Sequence, residues 1–184
     1  HSLRVGNIGY PYPGMLDICV DDAGVGELGA SVERVTLLEV EQRMHELQQG
    51  AIDAFLQEVA AECVTDRVKK EDLHRTARLY KALEAIVREK ELGALCVHDY
   101  ECLSVVSQTV ADFALSYLEN RYGLATGVEG DMPNCLSAFV ARGFSGNSPM
   151  FVDWTMYDEE ENAIFLQHNG KADPAIVEKP VLSP

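Results

Sequence analysis

Along most of the chain, short apolar runs alternate with amphipathic stretches, a rhythm that predicts strands separated by helices. Residues 3–9 (Leu-Arg-Val-Gly-Asn-Ile-Gly) read as a first strand, closed by Tyr10-Pro11-Tyr12-Pro13-Gly14. Pro13 suits the start of a helix suggested by Met15, Leu16, Ile18 and Cys19. Residues 32–40, rich in β-branched side chains, predict a second strand, and strand–helix–strand at this spacing predicts a parallel βαβ unit. Met44, Leu47, Ala51, Phe55 and Val59 recur at steps of three and four, predicting a helix over 41–64. Leu73, Ala77, Tyr80, Leu83 and Val87 predict another over 70–90, and Leu103, Val106, Val110, Phe113 and Tyr117 a third stripe. Between them, residues 93–97 form a continuous apolar run of the kind buried on both faces of a sheet. Residues 122–128 predict a last short strand, and Asp131 an N-cap for a helix over 132–142 with Pro133 in its first turn.

Beyond residue 143 the pattern changes. Gly143-Phe-Ser-Gly-Asn-Ser-Pro149 has the composition of a linker, and residues 150–157 and 163–167 predict a hairpin joined by the charged turn Asp158-Glu-Glu-Glu-Asn162. Alternation puts Asp153, Thr155 and Tyr157 on one face, and turns Trp154 and Met156 to the other, which favours core packing for Trp154 over a ligand-stacking surface. The expected fold is therefore α/β: a Rossmann-like parallel sheet with helices on both faces over 1–143, then a linker and β-hairpin over 144–184. A lone hairpin is marginal in water, so further structure or self-association, as in a homo-oligomer, is expected to support it.

Composition narrows the function classes. The 184 residues carry 30 acidic against 15 basic side chains, a formal charge of −15, which argues against a nucleic-acid partner or an anionic membrane surface. No apolar run approaches a membrane span. The five cysteines lack CxxC pairs, and four lie in apolar settings, as expected of reduced, buried thiols in a cytoplasmic protein. Gly24-Val25-Gly26-Glu27-Leu28-Gly29 is formally GxGxxG, but it follows a helix pattern and precedes a strand, the reverse of a dinucleotide fingerprint. Helix-ending glycines account for it better.

Acidic residues set inside apolar sequence are the candidates for chemistry. Glu129 stands between Val128 and Gly130, and Asp153 between Val152 and Trp154, settings in which a carboxylate is costly to desolvate without a cationic partner. His168 ends the second hairpin strand. If Glu129 points into the crevice at the strand ends, the hairpin can bring Asp153 and His168 to face it. Two carboxylates and an imidazole suit a divalent cation such as Mn²⁺. An acidic turn beside a hydrogen-bonded histidine explains the same spacing. Asp131 reads as a structural cap before a metal ligand. His98-Asp99-Tyr100-Glu101, after the apolar run, is either pocket wall or a polar loop in which Asp99 caps the next helix.

Taken together, Gly127-Val-Glu-Gly-Asp131, the apolar helix with Leu136 and Ala138, Phe151-Val-Asp-Trp-Thr155 and the His168-x-Gly170 ending resemble the L-fucose/L-arabinose isomerase family. The resemblance is specific over 127–170, and over 1–126 it fits the family's middle α/β domain. It implies a metal-dependent aldose–ketose isomerase, or a fragment of one, acting on an open-chain sugar through an ene-diol. It further implies Glu129 and Asp153 as acid and base, and Glu129, Asp153 and His168 as ligands of Mn²⁺ or another divalent cation. The position of His168 resembles the arabinose-type ligand, whereas the fucose-type enzymes use a histidine further along, and Asn169 stands where related sequences have cysteine. The hairpin would open a β-rich C-terminal domain of which this chain holds only the start. Two other classes fit the residues: a non-catalytic sugar- or metal-binding module, and a structural α/β interaction domain whose acids are surface.

Overall fold

A computed structural model describes residues 2–168 and 171–183. Chain order gives strand β1 (Leu3–Ile8), helix α1 (Asp22–Glu27), β2 (Ala30–Val35), α2 (Leu37–Glu46), α3 (Gln49–Glu62), α4 (Lys70–Glu89) and β3 (Ala94–Val97). There follow α5 (Ser104–Ser107), α6 (Asp112–Tyr122), β4 (Ala125–Gly127), α7 (Met132–Ser145) and the hairpin strands β5 (Asp153–Asp158) and β6 (Ala163–Gln167). β1 to β4 form one parallel sheet in the order β2-β1-β3-β4, while β5 and β6 pair antiparallel as a separate two-stranded sheet.

Side-chain alternation along the strands divides the core into two layers, as a sheet covered on both faces requires. Ile8, Val35, Leu95 and Val97 face Phe55, Tyr80, Leu83, Leu115 and Leu118 of α3, α4 and α6. Val5, Ala94, Cys96 and Ala125 face Val25 of α1 and Met132 and Cys135 of α7. Gly127 lets α7 approach β4, because a Cβ there would lie 2.7 Å from the Asp131 carbonyl oxygen and 2.8 Å from Cys135 Cβ. After the hairpin, the chain returns over α6. Ala172 N–H donates to Ser116 Oγ, and Val64 exchanges backbone hydrogen bonds with Pro180 and Leu182. Among the described residues no helix is long and apolar enough to cross a membrane. Cys63, Cys96, Cys102 and Cys135 are buried and free, and Cys19 is exposed.

Several boundaries differ from the sequence pattern for local reasons. The helix expected at 15–19 is only a 3₁₀ turn, Leu16–Ile18. The strand expected over 32–40 ends at Val35, because Thr36 caps α2 through its hydroxyl, which accepts the Glu39 N–H. The helix expected over 41–64 is two. Leu47 and Gln48 are extended, and Arg78 donates to the Met44 carbonyl that the break leaves free. The apolar stripe runs on across that break, so its period could not reveal it. The stripe from Leu103 to Tyr117 breaks likewise at Gln108, left-handed at φ 54°. Gly24 and Gly26 lie inside α1, and only Gly29 follows its end, at φ 82°, so the helix-ending role expected of these glycines holds for Gly29 alone.

Candidate functional site

β1 leads to β2 on one side, whereas β3 lies on its other side, so the chain reverses direction in the sheet between β1 and β3. At such a reversal the loops leaving the carboxyl ends of the strands diverge, and the crevice between them is the usual place for a ligand in an open α/β sheet. Tyr10-Pro-Tyr-Pro-Gly14 follows β1, His98 and Asp99 follow β3, and Glu129 follows β4. Helices run back against the strands, so Asp112 at the start of α6 and Asp131 at the start of α7 belong to the same edge.

Glu129 sits on a tight turn closed by the Asp131 N–H, which donates to the Val128 carbonyl. Glu129 (φ 58°) and Gly130 (φ 71°) are both left-handed. Glycine is required at 130, where a Cβ would collide with the Tyr10 carbonyl and Pro11 Cα. Glutamate at 129 has no such freedom and carries roughly 1–2 kcal/mol of backbone strain. Its backbone is fixed at both ends: the N–H donates to Asp99 Oδ1 at 2.9 Å, and the carbonyl accepts from the Tyr12 N–H at 2.9 Å. Asp99 therefore does not cap the following helix but ties the β3 and β4 loops together, and the π-helical turn Asp99–Leu103 lacks a side-chain cap. Asp131 caps α7, accepting the Asn134 N–H at 2.8 Å.

The edge is crowded with negative charge. Burial raises the Glu129 carboxyl above its ordinary range, and Asp99, Asp153 and Asp131 add to the rise while His168 opposes it. Asp112 is pushed up to about 6, first by burial and then by Asp99, against His168 and Lys171. Burial, then Asp99, Asp112 and Glu129, raise the Tyr100 phenol. The hairpin thus brings Asp153 and His168 into the electrostatic field of Glu129. The His168 ring packs edge-on against Phe151, with centroids 4.9 Å apart. Two carboxylates and an imidazole are donors of the kind a hard divalent cation takes. They do not converge on one point: among the described residues, no three His, Cys, Asp or Glu side chains form a group that could hold a metal ion.

Trp154 is not core. It is 69% exposed, and the residues from Asp153 to Tyr157 are exposed on both faces of β5, so alternation has no covered face to turn it towards. Asn169 and Gly170, the end of the His168-x-Gly170 motif, lie outside the described residues.

Two contributors escape sequence reasoning. Asp112 hides in a helical stripe, next to Phe113. Lys171 Nζ is buried at 2.5 Å from Glu119 Oε1, which also accepts from Thr126 Oγ1 at 2.7 Å, pinning the end of the hairpin to the sheet domain. No sequence signal marks either. His98, which the sequence placed at the end of the third strand as pocket wall or polar loop, is wholly buried, and neither ring nitrogen has a hydrogen-bond partner. In comparison with known proteins, no family model matches the chain, and no curated protein matches it in sequence.

Proposed function

We propose that this chain carries the catalytic edge of an aldose–ketose isomerase acting on a small open-chain sugar. The observation that supports it is Glu129, a carboxylate of raised pKa, held on a strained turn at the carboxyl edge, with the negative charge of Asp153 from a different element adding to the rise. Isomerisation needs one group to take the proton from C2 and another to manage the proton on the carbonyl oxygen. A carboxyl whose pKa is lifted towards neutrality is the better base for that task. In this reading Glu129 and Asp153 move the proton between C2 and C1 through an ene-diol. Asp99 keeps the Glu129 backbone in place through its hydrogen bond, and the Tyr12 N–H holds the Glu129 carbonyl. Glu129, Asp153 and His168 are the residues that would hold a divalent cation, which would supply Lewis-acid chemistry that acidifies the transferred proton.

Titration of the chain with Mn²⁺, wild type beside Asp153→Asn and Glu129→Gln, tests the ligand set. The reading expects binding near one equivalent, weakened strongly by either substitution. It also expects the affinity to rise with pH through the raised Glu129 pKa, since only the carboxylate binds metal. Metal binding indifferent to both substitutions counts against it. Metal and sugar binding without ketose formation would instead favour a non-catalytic binding module.

A further inference from the structure

His98 poses a problem that the isomerase reading does not use. It is 0% exposed, yet Nδ1 and Nε2 both lack partners, and leaving a buried polar group unpaired costs about 1–3 kcal/mol. Its ring meets Tyr10 edge-on at 4.6 Å between centroids and Tyr12 at 5.4 Å. An edge-on aromatic contact offers at most a weak N–H···π interaction, which leaves the acceptor nitrogen with nothing. The backbone of His98 remains extended (φ −84°, ψ 100°) and its N–H donates to the Ile8 carbonyl, so strand alternation still applies there. It puts His98 on the side of Cys96, whose register partner across β1 is Asn7. Asn7 is also buried, and its Oδ1 also lacks a partner. Two unpaired polar side chains thus lie along one side of the β1–β3 seam, at the point where the sheet's direction reverses.

We propose that His98 is a ligand-contacting residue of the crevice and that its ligand is a neutral, polyhydroxylated small molecule. A neutral imidazole presents one donor and one acceptor, and Asn7 Oδ1 a second acceptor. Hydroxyl groups, which donate and accept, answer all three. An ammonium only donates, and a phosphate dianion only accepts. An anionic group would also meet the negative charge of Asp99 and Glu129, which follow β3 and β4 at the same edge of the sheet. The cover is the Tyr10–Tyr12 segment, which is tied to Glu129 by the Tyr12 N–H. A ligand that reaches His98 therefore displaces the same segment that holds the Glu129 turn. The sugar identity of the ligand rests on the isomerase reading; the hydroxyl chemistry does not.

The test is ¹⁵N NMR of the full chain labelled in histidine, with His98→Phe assigning the ring signals and with L-fucose, L-arabinose and D-ribose 5-phosphate as probes. The expected result is a shift of both His98 ring nitrogens with a neutral sugar and none with the phosphate. Sugar affinity should fall roughly tenfold in His98→Phe and less in His98→Gln, which keeps a donor and an acceptor. Sugar binding that leaves His98 unmoved, or no neutral sugar that moves it, overturns the proposal. A shifted His98 without hydrogen exchange at sugar C2 leaves this site standing and removes the isomerase reading. Exchange with an unmoved His98 does the reverse.

Discussion

The sheet domain and the hairpin use the same kinds of side chain to opposite ends. In β3 every residue is buried, with layers of helix on both faces of the sheet. In the hairpin Trp154, Met156, Tyr157, Ile164, Phe165 and Leu166 all stand about half exposed or more. The first region has found the surface its apolar residues require, and the second has not. A two-stranded ribbon has only two faces and no second layer, so its apolar alternation stays in water until something covers it. The candidate site lies across this division, with Glu129 on the settled side and Asp153 and His168 on the other.

The seam between the regions predicts the largest effect. Lys171→Met leaves Glu119 buried without its cation and should cost about 3–5 kcal/mol in urea unfolding. Adding Glu119→Gln should restore most of that loss; a single variant as stable as wild type would mean that Lys171 does not hold the hairpin's end to the sheet domain. Next, Leu95→Ala in the wholly buried strand should cost about 2–5 kcal/mol, against under about 0.5 kcal/mol for Leu166→Ala in the hairpin. Equal losses at the two positions, read from denaturation midpoints, would erase the contrast.

A smaller effect follows from Asp112. Its folded pKa, about 6, lies above the ordinary 3.8, so the folded state holds the extra proton between those values. Its contribution is therefore least unfavourable below pH 4 and worsens as pH rises through 6. Asp112→Asn should leave stability at pH 4 nearly unchanged and raise it at pH 8 by about 1–2 kcal/mol, after allowance for solvent screening. A flat difference between the two pH values contradicts the burial argument. The smallest shift concerns Glu129 itself. Glu129→Gly relieves the left-handed strain and should stabilise the fold by about 1 kcal/mol while removing the acid–base group. A destabilised glycine variant would show that the side chain, not the backbone, dominates at this position.

Periodicity made the parallel sheet, the helices on both faces and the hairpin legible, because burial on a covered sheet leaves continuous apolar runs such as residues 93–97. It missed the breaks at Leu47 and Gln108, where the stripe continues while an extended pair and a left-handed residue end the helix. Glu129 could be read from charge set inside apolar sequence, and Asp131 from its place as a cap before Pro133. Asp99 could be placed at the edge, but not its hydrogen bond to Glu129, since nothing local signals a contact thirty residues away. Trp154 went astray for a related reason: alternation assigns a side chain to a face but not a layer to cover it, and neither face of β5 is covered.

The most direct test is solvent hydrogen exchange at sugar C2. The full chain would be incubated in D₂O with Mn²⁺ and each of L-fucose, L-arabinose and D-arabinose, and deuterium at C2 read by mass spectrometry. The account predicts deuterium in at least one sugar with the wild type and none with Glu129→Gln. Metal-loaded, folded protein that exchanges no sugar, or a Glu129→Gln variant that exchanges as fast as wild type, would contradict it.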